Sequence, residues 1–153
     1  MTNNLDSMYQ EIILDYYRNP SHRGELADFD GQSHQVNPTC GDEVTLQIRL
    51  VNGVIADLGW VGQGCAISQA SISVMSELVV GHRTADAFDL AETFRELMQS
   101  QGHSDLTEQQ RQQLADAVAF EGVAKFPARV KCALLGWMAM KSAVADASRS
   151  EQP

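Results

Sequence analysis

Residues 42–65 read DEVTLQIRLVNGVIADLGWVGQGC, and their alternation of apolar and polar side chains predicts a β-hairpin. In the first half, every second residue is apolar: Val44, Leu46, Ile48 and Leu50. Asn52-Gly53 supplies a two-residue turn, because both residue types tolerate the positive φ that tight hairpin turns need. Residues 54–61 return as the partner strand. We also expect a third strand from the 25–37 region.

Helical patterns lie on both sides of this hairpin. Apolar residues recur at helical spacing from Leu5 to Tyr17, and Asn19-Pro20 ends that helix. Four further helices are predicted after the hairpin, over about residues 66–80, 84–100, 107–120 and 127–147. The third of these opens with a capping box, Thr107 with Gln110.

The order of these elements decides the fold class. A helix, then strands, then helices predicts an α+β fold, with a small antiparallel three-stranded sheet covered by helices. The 153 residues fit one domain, spanning 1–153. The polar tail 148–153 is expected to be frayed.

Composition excludes several function classes. The formal net charge is −9, which argues against a nucleic-acid partner because phosphate binding needs clustered Lys and Arg. The chain has no run of 18 apolar residues, so we predict no membrane-spanning helix. Residues 1–6 lack the basic-then-apolar pattern of a signal peptide, and we therefore expect a cytoplasmic protein.

The three cysteines are not expected to form structural disulfides in a reducing compartment. They are then buried small side chains, reactive thiols or metal ligands. Cys40 precedes the first hairpin strand, Cys65 follows the second, and Cys132 lies in the first turns of the last helix. Because the hairpin strands are antiparallel, we expect Cys40 and Cys65 at the same end of the hairpin.

Asp42 is the candidate fourth ligand. In an extended segment residues i and i+2 point the same way, so Cys40 and Asp42 can face one point, with Gly41 allowing the backbone to bend. Three thiolates and one carboxylate suit zinc, and they could also hold an iron–sulfur cluster incompletely. The long intervals between the cysteines match no short zinc-binding pattern. Spacing alone therefore leaves open a metal site and three unrelated buried thiols.

Three separated motifs resemble the IscU/SufU (NifU-like) iron–sulfur cluster assembly family. The motifs are Asn37-Pro38-Thr39-Cys40-Gly41-Asp42, Gly62-Gln63-Gly64-Cys65-Ala66-Ile67-Ser68-Gln69-Ala70-Ser71 and Arg129-Val130-Lys131-Cys132-Ala133-Leu134-Leu135-Gly136-Trp137. The resemblance covers about residues 5–146 and implies the fold of that family.

Within the family the chain looks like the SufU branch. IscU-type sequences carry His immediately before the third cysteine, where this chain has Lys131. The Leu-Pro-Pro-Val-Lys chaperone-binding motif of IscU-type sequences is replaced by residues 126–131, FPARVK. A helical insertion at about residues 84–120 is a third SufU-like feature.

The resemblance implies a zinc-dependent sulfur acceptor. Zinc is expected on Cys40, Asp42, Cys65 and Cys132, and Cys40 is expected to take persulfide sulfur from a SufS-type PLP-dependent cysteine desulfurase. Downstream Suf scaffold proteins are the expected receivers, and independent catalysis is not expected. The alternative is a scaffold that assembles a transient [2Fe–2S] or [4Fe–4S] cluster on the same residues.

Other side chains also have a predicted role or position. Arg129 lies three residues before Cys132, on the same helical face, and is a candidate gate or stabiliser of a thiolate or persulfide. The alternative is a solvated or Asp-paired surface arginine. Trp137 and Met138 are predicted to pack in the core. The four histidines, which are predicted to lie on the surface, are His22, His34, His82 and His103.

Overall fold

The computed structural model describes residues 4–150 of the chain. The elements follow one another as α1 Asn4–Arg18, β1 Gly31–Asn37, β2 Asp42–Val51, β3 Val54–Gln63, α2 Ala66–Val79, α3 Thr84–Gln99, α4 Glu108–Leu114, a 3-10 helix Ala115–Lys125, and α5 Pro127–Ser150. This is the predicted α+β arrangement, and the predicted third strand is β1. Within this described range, no helix combines the length and the apolar character that a bilayer crossing needs.

The sheet has the order β1-β2-β3, and both pairings are antiparallel. In the first pairing, Gly31 lies opposite Ile48 and Asn37 lies opposite Asp42. The second pairing is the predicted hairpin, with Asn52 and Gly53 at positive φ in its turn. One end of the sheet therefore carries the β1–β2 turn together with the C-terminus of β3.

One face of the sheet is buried beneath α5, which packs on β1 and β2. The alternating residues Val44, Leu46 and Ile48 are fully buried on this face. Burial of side chains of this size contributes about 1.5–3 kcal/mol each. Gly31 allows a close approach of α5 to β1, because a Cβ atom at this position would collide with the backbone of Ala143 and Ala147.

The helices after the sheet share one core with α5. The Phe94 ring of α3 stacks on Trp137 with centroids 4.6 Å apart and meets Phe120 edge-on at 5.9 Å. Trp137 donates from Nε1 to the Ser71 hydroxyl at 3.2 Å, so this buried indole is paired. Trp137 is a core residue as predicted, whereas Met138 is 50% exposed and its predicted core position is wrong. One residue along a helix turns the side chain by about 100°, which carries Met138 out of the face that Trp137 occupies.

Two predicted helix ends are also wrong. The third predicted helix was expected to reach Phe120, but α4 ends at Leu114 because Ala115 has φ 49° and ψ −124°. That backbone turn breaks the α-helical hydrogen bonding, and the chain continues as a 3-10 helix that buries Phe120. At the other end, α5 continues past Ala147 to Ser150, and residues 151–153 lie outside the described range. The frayed tail predicted from residue 148 is therefore helical over its first three residues.

Candidate metal centre

Three segments meet at one end of the sheet: the β1–β2 turn, the link between β3 and α2, and the first turns of α5. The β1–β2 turn carries Cys40, whose N–H donates to the Asn37 carbonyl at 3.2 Å, and Gly41 follows at φ +70°. Asp42 begins β2, two residues before Val44, and its side chain lies on the buried face. The short link between β3 and α2 carries Cys65, and the first turns of α5 carry Cys132. Cys40 and Cys65 therefore lie at the same end of the hairpin, as the sequence predicted.

The ligand atoms of Cys40, Asp42 and Cys132 all lie within 4.8 Å of one another. The Sγ atoms of Cys132 and Cys40 lie 3.1 Å apart, and both thiols are free. The Cys65 Sγ lies beside the group, 3.8 Å from Oδ2 of Asp42. The structure thus brings three of the predicted ligands, Cys40, Asp42 and Cys132, into one group, and the fourth, Cys65, contacts this group through Asp42.

Asp42 is held at the N-terminus of α2. Its Oδ1 accepts the backbone N–H of Cys65, the N-cap residue of α2, at 2.9 Å. A carboxylate at this end of a helix is stabilised by the unpaired N–H groups and the helix dipole. Gly64 has φ +153°, and a Cβ atom there would overlap Oδ1 of Asp42. This glycine therefore leaves the space that the carboxylate occupies.

The site combines buried and accessible groups. Cys132 and Asp42 are fully buried, whereas Cys40 and Cys65 are half-buried. Burial raises the pKa of the Cys132 thiol well above its usual range, and hydrogen bonds with Cys40 and Asp42 add to the effect. In the metal-free protein Cys132 is therefore a neutral thiol at pH 7.

The donor set fits a zinc ion. Three sulfurs and one carboxylate oxygen are ligands that zinc binds in tetrahedral sites. Across residues 4–150 no Lys, Arg or His forms an ion pair with Asp42, although this carboxylate is fully buried. A buried carboxylate normally has a compensating charge, and a bound cation would supply it.

The other candidate side chains lie outside the group. Arg129 and Lys131 are exposed on the first turns of α5, and the Arg129 guanidinium has no ion pair within the described part of the chain. The gating role of Arg129 therefore stays a prediction. All four histidines are exposed, as expected, and none belongs to the ligand group.

Two residues of the family motifs, Gly64 and Asn37, lie at this site although the sequence predicted no role for them. Gly64 shapes the space for Asp42, and its signal was the glycine immediately before Cys65. Asn37 is buried beside Asp42, and its side-chain Nδ2 has no hydrogen-bond partner. Asn37 opens the first family motif, but only the pairing of β1 with β2 shows that it lies opposite Asp42.

The fold and the site together define a class of protein, a small α+β domain that gathers three thiols and a carboxylate able to hold a metal ion. Residues 8–133 match the family model described as the NifU-like N-terminal domain. The chain belongs to this family, whose members include iron–sulfur cluster assembly proteins.

Individual relatives come from both branches of the family. The zinc-dependent sulfurtransferase SufU of Bacillus subtilis (strain 168) is 38% identical over 142 residues, covering 93% of this chain and 92% of that protein. The iron–sulfur cluster assembly scaffold protein IscU of Streptococcus pyogenes serotype M1 is 34% identical over 147 residues, covering 96% and 89%.

A solved structure supports the fold. The crystal structure of a putative iron–sulfur cluster assembly scaffold protein for the SUF system, from Fervidobacterium islandicum AW-1, superimposes with a TM-score of 0.80. It is 31% identical in sequence, and the match covers 88% of this chain and 94% of that one. The chain is therefore a member of the iron–sulfur cluster assembly family with the IscU/SufU-like fold.

Proposed function

We propose that this chain accepts persulfide sulfur from a SufS-type, PLP-dependent cysteine desulfurase and delivers it for cytoplasmic iron–sulfur cluster assembly. The observation that supports the proposal most strongly is that three free thiols lie around one buried carboxylate at the end of the sheet. The similarity to a relative named as a zinc-dependent sulfurtransferase supports the same function. Downstream Suf scaffold proteins are the proposed receivers of the sulfur.

The residues that would hold zinc are Cys40, Asp42, Cys65 and Cys132. When bound, zinc supplies a positive charge that keeps the thiols deprotonated at neutral pH. Asp42 contributes its negative charge and is itself oriented by the Cys65 N–H. The α5 backbone fixes Cys132, which is fully buried and therefore suited to a holding role.

Cys40 is the proposed sulfur acceptor because its position in a turn leaves it less constrained by secondary structure than Cys132. It lies in a turn between two strands, flanked by Pro38 and Gly41, and is half-buried rather than enclosed. Cys132, by contrast, lies within a helix, and the N–H of Cys65 is bonded to Asp42. A desulfurase cysteine can therefore approach Cys40 with the least rearrangement of this chain.

The transfer is a thiol exchange. The Cys40 thiolate attacks the outer sulfur of the desulfurase persulfide and forms a new S–S bond. The S–S bond of the desulfurase breaks, and its cysteine leaves as a thiolate that takes up a proton. Cys40 then carries the outer sulfur as a persulfide, and no external oxidant or reductant is needed.

The second candidate function is cluster scaffolding on the same four residues. The similarity to a relative named as an IscU scaffold protein favours it, because that identity is nearly as high as the identity to SufU. Lys131, which replaces the His of IscU-type sequences before the third cysteine, favours sulfur transfer. The two functions make different predictions for metal content and for the product formed.

The test begins with aerobic purification and metal analysis, followed by addition of the protein to a SufS-type desulfurase. We expect one tightly bound zinc per chain and a large rise in alanine and sulfide production. Cys40→Ala should lose the stimulation and the protein-bound persulfide. Thr39→Ala, the neighbouring exposed position in the same turn, should keep both.

Two results would decide against sulfur transfer. Full stimulation by the Cys40→Ala variant would exclude Cys40 as the acceptor. A brown, iron-containing preparation that transfers its cluster to apo-proteins would support the scaffold function instead.

A further inference from the structure

Asn37, the last residue of β1, has a buried side-chain amide nitrogen that makes no hydrogen bond within residues 4–150. The residue is 8% exposed, and its Nδ2 has no partner in the structure. A buried donor left unpaired costs stability, so a native protein that keeps one needs a reason for it. The position of this amide in the fold supplies such a reason.

Asn37 projects into the same buried face as the ligands. It is the direct partner of Asp42 in the β1–β2 pairing. Directly opposite residues on antiparallel strands point to the same face of a sheet. Since Asp42 and Val44 are fully buried on that face, the Asn37 amide lies between the sheet and α5.

The packing of β1 along α5 places Asn37 level with Cys132. At the start of β1, Gly31 lies against Ala143 and Ala147 of α5. At the other end of β1, Cys40 approaches the Ala128 carbonyl, with Sγ 3.9 Å from the oxygen, so β1 and α5 run in opposite directions. From Gly31 to Asn37 the strand advances about 20 Å. This length corresponds to about 13 residues of helix. Counted back along α5 from the segment between Ala143 and Ala147, it ends at the helical turn that contains Cys132.

Among residues 4–150, no N–H group donates a hydrogen bond to the Cys132 sulfur. The thiol contacts the Cys40 sulfur at 3.1 Å and the Ala128 carbonyl at 3.7 Å, and it can donate its hydrogen to either. When Cys40 and Cys132 both bind a metal as thiolates, the Cys132 sulfur is only an acceptor, and neither the Cys40 sulfur nor the Ala128 carbonyl can donate to it. A buried anion of this kind requires a donor, and the unpaired Asn37 amide is positioned to provide one.

We infer that Asn37 donates its side-chain N–H to the Cys132 thiolate when that sulfur is a metal ligand. The inference rests on the metal site of the proposed function. The hydrogen bond would stabilise the buried thiolate and keep Cys132 as a holding ligand. Cys40 lies in the β1–β2 turn and receives no hydrogen bond from Asn37, so it would dissociate from the metal more readily than Cys132. Asn37 is thus a positioning residue that makes Cys132 a firmer metal ligand than Cys40.

The test compares Asn37→Leu, which removes the donor at similar size, with Gln35→Leu as the control. Gln35 lies two residues earlier on the same face of β1, and its amide donates to the Ser33 hydroxyl at 2.8 Å. We expect Asn37→Leu to raise the zinc dissociation constant about tenfold or more, the usual effect of losing a hydrogen bond to a metal ligand. The sulfur-to-cobalt charge-transfer band of the cobalt-substituted protein should move to lower energy, because the thiolate becomes more electron-rich. Gln35→Leu should leave both quantities unchanged.

The stability of the metal-free protein separates this role from a structural one. Because Asn37→Leu removes an unpaired buried amide, its thermal midpoint without metal should not fall. If the leucine variant does not fold, Asn37→Ala provides the same comparison of zinc affinity and cobalt spectrum. A variant whose cobalt band and zinc affinity match the wild type would overturn the inference and leave the proposed function intact. A wild-type protein that binds neither zinc nor cobalt would instead refute the proposed function.

Discussion

Gly64→Ala tests whether the link between β3 and α2 holds the Asp42 carboxylate in place. A Cβ atom at this position would overlap Oδ1 of Asp42 and lie 2.9 Å from its Cγ and from the Ser68 hydroxyl oxygen. The backbone there has φ +153°, which L residues rarely adopt. The carboxylate would have to move away from the Cys65 N–H that it now accepts at 2.9 Å.

The expected magnitude has two parts. An alanine in this backbone conformation costs about 1–3 kcal/mol. Loss of a hydrogen bond to a charged carboxylate costs about 1.5–3 kcal/mol. Together these predict a decrease of about 2.5–6 kcal/mol in the free energy of unfolding of the metal-free protein. Because Asp42 is a proposed ligand, zinc affinity should fall about 10- to 100-fold as well.

Gly53→Ala is the matched control. Gly53 also has a positive φ, +78°, but a Cβ atom there meets nothing within 4 Å. It lies in the hairpin turn at the end of the sheet away from the thiols. This variant should lose only about 1–2 kcal/mol for its backbone conformation, with unchanged zinc affinity.

Urea unfolding with a chelator and a reductant measures the stability of both variants, and competition with a chromophoric chelator measures zinc affinity. The reasoning fails if Gly64→Ala loses no more stability than Gly53→Ala and binds zinc like the wild type. That outcome would mean that the carboxylate keeps its place without the space at Gly64.

Three further predictions address pH, docking and packing. The folded-state pKa of Cys132 is raised by burial, so its stabilising contribution is complete below the unfolded thiol pKa of about 8.5 and is lost as pH rises beyond it. Urea unfolding of the metal-free protein should therefore show falling stability from pH 8.5 to 10, and Cys132→Ala should show a smaller fall. Phe126 is 60% exposed and lies two residues before Ala128, whose carbonyl is 3.9 Å from the Cys40 sulfur, so Phe126→Ala should raise the desulfurase concentration for half-maximal stimulation roughly tenfold. Val51→Ala, an exposed apolar position at the hairpin tip, is its control, and equal curves for the two variants would argue against docking at Phe126. Gly136→Ala places a Cβ atom onto Ile72 where α2 meets α5, and calorimetry should show a loss of about 1–3 kcal/mol, whereas an unchanged midpoint would contradict the close packing.

Much of the fold follows from local patterns in the sequence. The alternation across residues 44–50 and the Asn52-Gly53 turn predict the hairpin, because side-chain direction alternates along any strand. The capping box at Thr107 is also local, and both of its hydrogen bonds are present at 2.9 and 3.1 Å. In each case the interacting residues are separated by only a few positions in the chain.

Predictions that depended on distant contacts were less accurate. The α-helix expected to reach Phe120 ends at Leu114, where a positive φ at Ala115 redirects the chain. No glycine or proline marks this position in the sequence. Met138 is apolar and helical like its neighbour, but only the packing of α5 decides which of the two side chains faces Phe94.

The candidate site likewise combines features set by local sequence with features set by distant contacts. The sequence by itself determined where the thiols lie along the chain, at the ends of predicted elements, and the antiparallel hairpin brought two of them to one end. Only the tertiary structure decided that Cys132, 92 positions after Cys40, lies with its sulfur 3.1 Å away and fully buried. It also decided that Asp42 accepts the Cys65 N–H and that the Asn37 amide stays unpaired. The reason is physical: periodicity reflects the geometry of neighbouring residues, whereas these distances, and the desolvation that raises the Cys132 pKa, arise when α5 packs against the sheet.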